Sequence, residues 1–441
     1  MPALYSALAV VGLGWYAALW SIGLLGCWAA RKRYRLRPRS PLASASPTTV
    51  PGVSILRPLK GLDTNLYENL QSTFVQEYPN FEILLSVADK HDQALPVAQE
   101  LMARYPSVNC RIIIGEEVVG VNPKVNNLMR SYREAANDIL WVIDSNVTVH
   151  PGTLARSVDA LVGPPSTSPR KRIALVHHVP IAVVTEPRLG SRIEEAFLNT
   201  NHAKMYIAIN TAAIESCVMG KSNLYRRSDV ERINGSLKPL TSDADPGERG
   251  LAAFGRFLAE DNMIATSLWH ELGDRHDLSC DVARNVVGNM TLSDYIWRRV
   301  RWIRVRKHMV FGATLTEPFT ESVVLSLIGA SSLHYLFGLP VWIALCAHYI
   351  AWISVDLDVY ASLAGHPLPS SHAWPFAAAW AARELLALPI FLYAIFGSEV
   401  VWRGTRYRVL TNGEVAKVEN NPSWFQRLRQ PKNYDPLPSS Q

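Results

Sequence analysis

Met1 to Ala30 carry no charged side chain, and six of the nine residues that follow, Arg31 to Arg39, are cations. About 20 apolar residues suffice to cross a bilayer core, so residues 1–30 read as a membrane-spanning anchor. A cleaved leader carries its basic residues before the apolar run and a small-residue cleavage site after it. Here the charge lies on the far side, which points to an anchor that is retained. Positive residues stay cytosolic, so the N-terminus is expected in the lumen and everything from Arg31 onward in the cytosol. Residues 31–51, basic and then rich in Ser, Pro and Thr, read as a juxtamembrane linker.

The far end of the chain is also apolar. Ser322 to Val355 holds 34 residues without a formal charge, broken by Gly338-Leu339-Pro340, and Trp374 to Trp402 is a second apolar block interrupted by Arg383-Glu384. Residues 321–402 therefore form a second membrane region of two or three spans, with the Gly-Leu-Pro break as a hairpin or a re-entrant turn. One net crossing in each block returns the tail, 403–441 with Arg403, Arg406 and Arg408, to the cytosol. The mean hydropathy of +0.04 conceals this partition. Charged residues are 19% against roughly 25% in soluble chains, and 48% are hydrophobic, which excludes a disordered or collagenous chain. Five scattered cysteines with no C-x-x-C pair argue against a zinc ribbon or a disulfide scaffold and suit reduced thiols.

The net charge of +6 does not indicate nucleic acid. Twelve of the 44 cations lie in two clusters, Arg31 to Arg39 and Arg298 to Lys307, leaving 32 against 38 acids elsewhere. Each cluster adjoins an apolar block, where contact with anionic headgroups is worth about 1 kcal/mol per residue. Membrane lipids, not nucleic acid, are the expected contacts.

Between residues 52 and 290 short β-branched runs alternate with amphipathic stretches. Strands are expected at Val53–Leu56, Glu82–Val87, Arg111–Ile114 and Ile139–Ile143, and helices at Asn65–Gln76, Gln93–Arg104 and Pro123–Ala136. This alternation implies an α/β domain with a largely parallel sheet covered on both faces, whose ligands collect beyond the carboxyl ends of the strands. Two strands run into aspartates there: Glu82–Ala88 into Asp89 to Asp92, and Ile139–Ile143 into Asp144-Ser145-Asn146. A turn or helix cap accounts for many such residues. A carboxylate beyond a buried strand is otherwise costly unless hydrogen-bonded or bound to a cation. A further acidic pair, Glu260-Asp261, follows later. Residues 291–320 carry Arg298-Arg299-Val300-Arg301-Trp302, which on a helix places Arg298, Arg301 and Trp302 along one face. That face suits either the membrane surface or two guanidiniums aimed at a diphosphate.

An aspartate after each of two strands, a third in an acidic pair, and R-x-x-R-W ahead of membrane helices together resemble the processive-synthase glycosyltransferases. The closer similarity is to the ceramide glucosyltransferase family. Val53 to Gly61, Gly120 to Asn127, Trp141 to Ser145, Ala259 to Asp261 and Trp402 to Arg408 carry it across nearly the whole chain. The resemblance implies a GT-A-like catalytic domain that transfers glucose from UDP-glucose to ceramide with inversion, on the cytosolic face of the Golgi membrane. By the same resemblance Asp92 binds uridine and Asp144 holds a divalent cation, Mg or Mn; Lys124 and Asn126, at the helix start after the third strand, either reach uracil or phosphate or are ordinary solvated residues. Asp261 is the general base with Glu260 as its rival, Arg298 and Arg301 hold the diphosphate, and Trp302 packs on acceptor or sugar. His202 either lines the acceptor site or is a surface histidine. Two features depart from the family pattern. Asp144-Ser145-Asn146 lacks the second carboxylate of a D-x-D motif, and a polar insertion over Ser236 to Leu251 is expected as a surface loop. Another lipid acceptor, such as a sterol, hopanoid or dolichyl phosphate, or another UDP-sugar, is the alternative within the same chemistry. A transporter or scaffold is the alternative outside it.

Overall fold

The protein is described from a computed structural model covering residues 2–163, 171–238, 249–402 and 404–418. Its first element is α1 (Pro2–Tyr34), which carries the apolar run and the first three cations in one continuous helix, four residues beyond the expected anchor.

The middle of the chain folds around an eight-stranded sheet. In chain order it comprises β1 (Val53–Leu59), α2 (Leu66–Phe74), β2 (Phe81–Val87), α3 (Ala94–Arg104), β3 (Cys110–Ile114), α4 (Pro123–Glu134), β4 (Ile139–Ile143), β5 (Val147–Thr148), α5 (Thr153–Val162) and β6 (Ile173–Val184). There follow α6 (Leu189–Phe197), α7 (Ala203–Ala212), β7 (Ser222–Arg226), the single turns α8 (Arg227–Val230) and α9 (Gly250–Ala253), α10 (Glu260–His270) and β8 (Arg275–Val287). The strand order is β3-β2-β1-β4-β7-β6-β8-β5. The pairs β1/β2, β1/β4, β2/β3 and β6/β8 are parallel, whereas β7 runs antiparallel between β4 and β6 and β5 is antiparallel to β8. The expected α/β architecture is met, with strand and helix ends within three residues of those read from the sequence.

Strand β4 shows why these runs are strands. All five residues are buried, and Ile139, Trp141 and Ile143 join the core on one face while Leu140 and Val142 join the core on the other. That alternation is the period of a strand covered on both sides. The same rule makes Arg57 in β1 conspicuous. It is fully buried, and its guanidinium donates to the carbonyl oxygens of Ser145 (3.3 Å) and Val147 (3.2 Å). Burial lowers its pKa to about 9. It ties down the turn that follows β4.

Beyond β8 come α11 (Leu292–Met309) and the short α12 (Phe311–Thr316), then α13 (Ser322–Phe337), α14 (Val341–Ala364) and α15 (Ala373–Ile395). The capping box of Thr291 and Asp294 starts α11. The Gly-Leu-Pro break is a hairpin turn, with Gly338 in the left-handed region at φ 70° closing α13. By length and composition α1, α14 and α15 are apolar enough to cross a membrane, and α13 is a shorter apolar helix.

Contacts fix how these helices lie. Ser6 near the start of α1 meets Tyr335 near the end of α13 (3.1 Å), Tyr16 meets His348 (3.0 Å), and Arg31 and Arg35 reach Asp358 late in α14. Helix α1 therefore runs parallel to α14 and antiparallel to α13. The partners of α15 lie at the other end of this bundle from Ser6 and Tyr335. Trp380 donates to Asp356 (2.8 Å), Arg383 pairs with Glu321 (2.5 Å), and the carbonyl oxygen of Ile395 accepts from Lys307 (2.9 Å). It lies across the domain-facing end, with Trp374, Leu385 and Phe396 exposed.

The residues after α15 were expected to be membrane and tail. They form instead an antiparallel meander of β9 (Glu399–Trp402), β10 (Thr405–Val409) and β11 (Val415–Lys417). Its Val400, Tyr407, Val409 and Val415 bury against Val305 of α11 and Ala259. Of the insertion, only Ser236 to Lys238 and Arg249 to Leu251 are among the described residues, and of the tail only 404–418. All five cysteines are free thiols.

Candidate active site

A cavity of about 280 Å³ opens at the carboxyl ends of β1 and β4, and Lys124, Asp144, Lys221, Asp261, Arg298 and Arg301 are among its walls. Each wall has a local cause. Asp144 is the first residue after β4. Lys221 stands opposite because β7 pairs with β4 in the register Ile143↔Ser222, and the Asp144 amide donates to the Lys221 carbonyl (3.1 Å). Lys124 is in the first turn of α4, opened by Pro123 and capped by the Asn122 side chain. Glu260 and Asp261 begin α10, where acidic residues favour the helix dipole.

Lys124 lies at the centre. Its Nζ is 3.0 Å from Asp144 Oδ1, 2.9 Å from Glu260 Oε1 and 3.2 Å from Asp261 Oδ1. Burial opposes its charge, yet Asp144, Asp261 and Glu260 together hold its pKa well above the usual lysine value. Lys221 Nζ is 2.9 Å from Asp144 Oδ2 and 3.2 Å from Asn146 Oδ1. Burial works against ionised Asp144 too, but the two lysines overcome it and keep the carboxyl well below the usual range. Asp261 goes the other way. Burial and the neighbouring Glu260 carboxylate push it up to about 8 against the pull of Lys124. The two acids are thus separated: one is held ionised, the other is set to take up a proton near neutral pH.

Glu260, the rival base, is 3% exposed and anchored by Asn122 Nδ2 on Oε2 (2.8 Å) and by Lys124 on Oε1. Asp261 has been given room by Gly220, since a Cβ there would stand 1.4 Å from Asp261 Oδ2. Only a residue without a side chain can pass so close.

Helix α11 brings Arg298, Arg301 and Trp302 to the same cavity, so the R-x-x-R-W face is directed inward. Arg298 Nε is held by buried Glu194 Oε1 at 2.8 Å, and Trp302 packs in one cluster with Leu258 and Trp402 of the meander. Three expected site residues lie elsewhere. Asp92 is absent from the cavity wall, because its carboxylate accepts from the amides of Gly61 (2.8 Å) and Ala94 (2.9 Å) and so shapes the loop beside Lys60. Asn126 is turned to the loop before it, accepting from Val119 and Gly120 and donating to Gly120, while its neighbour Asn127 lines the cavity. Asn127 Oδ1 is buried without a partner. His202 is partly buried and is absent from the cavity wall. It stacks on Tyr206 (5.6 Å), and burial first and Arg299 second lower its pKa to about 3.

Lys221 and Gly220 were missed by reasoning from the sequence, and Arg57 and Trp402 entered it only inside longer stretches with no role of their own. A G-K-S run before a strand carries a signal only when that strand is known to pair with β4, and Trp402 only when the meander is known to fold back.

Among the described residues no three acidic, histidine or cysteine side chains stand together as metal ligands. The oxygen donors at hand, Asp144 and Asn146 Oδ1, are hard ligands of the kind Mg and Mn take. They fit such an ion when phosphate oxygens supply the rest of its shell.

Known proteins resemble this chain over most of its length. A ceramide glucosyltransferase of Komagataella phaffii is 37% identical over 91% of this chain and 90% of the relative. Another, of Pyricularia oryzae, is 33% identical over 95% and 97%. Ceramide glucosyltransferase 1 of Caenorhabditis elegans is 28% identical over 89% of this chain and 76% of the relative. The model of glycosyl transferase family 21 matches residues 15–415, from within the first anchor to the last strand of the meander, and the chain belongs to that family.

Proposed function

We infer that this protein transfers glucose from UDP-glucose to the primary hydroxyl of ceramide, giving β-glucosylceramide. The observation that carries the reading is the convergence of Asp144, Asp261, Arg298 and Arg301, from three separate parts of the chain, on one cavity. Arg298 and Arg301 offer forked donors to the diphosphate, and Lys124 and Lys221 add two cations on its other side. A divalent cation, when bound at Asp144 with the donor's phosphates, supplies further positive charge to the departing UDP. Asp261 takes the proton of the ceramide hydroxyl as oxygen attacks the anomeric carbon from the face opposite UDP. A single displacement of that kind turns an α donor into a β product. Asp92 and Asn126 act through the loops they hold, not by touching the donor.

The acceptor's hydrocarbon explains the architecture around the domain. Helices α1, α13 and α14 cross the membrane, and α15 lies in the interface with its exposed Trp374, Leu385 and Phe396 toward lipid. With three crossings the catalytic domain and the tail share one side of the membrane and the N-terminus has the other, and the cations of Arg31 to Arg39 support the cytosol for the domain and tail. The Golgi membrane is the compartment proposed, on the family resemblance alone. Purified protein given UDP-glucose or UDP-galactose with ceramide, a sterol or dolichyl phosphate tests the reading. Glucosylceramide should be the main product, and a glucosylated sterol or dolichyl phosphate in its place would refute it.

A further inference from the structure

The surroundings of Asp144 are unusual for a carboxylate that is to hold a metal. Both of its oxygens already face ammonium groups, Lys124 at 3.0 Å and Lys221 at 2.9 Å, and Lys221 also occupies Asn146 Oδ1 at 3.2 Å. The buried guanidinium of Arg57 holds the same turn from beneath. These lysines do not belong to a mobile surface: their side chains are 15% and 14% exposed. A divalent ion arriving alone would have to displace an ammonium from each oxygen it took, and would then sit beside two like charges with no anion to offset them. A nucleotide diphosphate changes that balance, since its phosphate oxygens give both ammonium groups new partners and complete the ion's shell.

We propose that Lys221, together with Lys124, closes Asp144 to divalent cations until a nucleotide diphosphate enters, so that ion and donor are taken up as a unit and Lys221 then turns to the diphosphate as a donor-positioning residue. The proposal rests on the reading of this cavity as the donor site. It gives Lys221 a role distinct from that of Lys124. Lys124 also spans Glu260 and Asp261, whereas Lys221 contacts only the Asp144 turn among the acidic residues of the cavity.

The test is Mn²⁺ binding to the detergent-purified full chain, followed by electron paramagnetic resonance with and without UDP. UDP should tighten Mn²⁺ binding by about tenfold or more, within the usual range for coupled sites. Lys221→Met keeps the length and removes the charge. It should raise nucleotide-free Mn²⁺ affinity by about tenfold and weaken UDP binding by a similar factor, while Lys221→Arg keeps the linkage. Mn²⁺ binding by the unmodified protein that is the same with and without UDP, including none in either case, overturns the proposal without any variant. Unchanged Mn²⁺ affinity in folded Lys221→Met does so as well. Failure of the unmodified protein to bind UDP at all would instead overturn the donor-site reading beneath it.

Discussion

Gly220→Ala is the smallest change that should disable this enzyme. The added methyl would stand 1.4 Å from Asp261 Oδ2 and 2.0 Å from its carboxyl carbon. Ordinary contact begins at 3.4 Å, so the carboxyl group must retreat by about 2 Å and give up the 3.2 Å contact to Lys124. Misplacing a reacting group by about 1 Å can cost on the order of 10²-fold, and a general base contributes about 10²–10⁴. Turnover should therefore fall by about 10²–10³-fold. UDP affinity should change by no more than about threefold, because the residues proposed to hold the diphosphate are Lys124, Lys221, Arg298 and Arg301, not Asp261. The assay pairs UDP binding by calorimetry with glucosylceramide formation from labelled UDP-glucose. A double-mutant cycle sharpens it: in an Asp261→Asn background, Gly220→Ala should cost little more. Near-normal turnover in Gly220→Ala, or a full additional loss in the Asp261→Asn background, would refute the assignment of Asp261 as the group that Gly220 accommodates.

Other expectations follow from the same geometry. Asp261 must be ionised to accept a proton and burial holds it at about 8, so kcat/KM should climb with pH up to about 8 and level off above. A profile already flat between about pH 6 and pH 8 would contradict this. Arg301→Lys keeps the charge but loses the fork, and should weaken UDP binding and slow turnover together by about tenfold; an effect on turnover alone would place Arg301 against the acceptor. The hairpin of α13 and α14 predicts that a tag at Leu339 is protected in sealed vesicles, while one in the tail after Lys417 is cleaved by added protease. Cleavage of the Leu339 tag would show that the hairpin does not cross.

Much of this was legible in the chain because it is written locally. β4 alternates between two cores, Asp144 follows it, and Arg298 and Arg301 share a helical face, all within spans of a few residues. What the sequence concealed is set by pairing between distant segments. Lys221 is 77 residues from Asp144, and only the antiparallel insertion of β7 beside β4 brings them together. Asn126 and Asn127 are equivalent on paper, and the helix phase alone decides which turns to the cavity. Asp92 looked like a ligand because it follows a strand, yet two backbone amides claim its oxygens. The composition of the second apolar block allows a crossing, and its contacts with Asp356, Glu321 and Lys307, which no local pattern announces, set it at the domain-facing end of the bundle.

In the proposed reaction Asp261 drives a single inverting displacement of UDP by the ceramide hydroxyl. Its most direct test is the anomeric configuration of the lipid product made by the purified full chain, read by proton NMR, alongside the rate of the Asp261→Asn variant. β-Linked glucosylceramide is expected from the unmodified protein, with a rate lower by about 10² or more in Asp261→Asn and UDP-glucose binding retained. An α-linked product, or Asp261→Asn turning over at the normal rate, would contradict it.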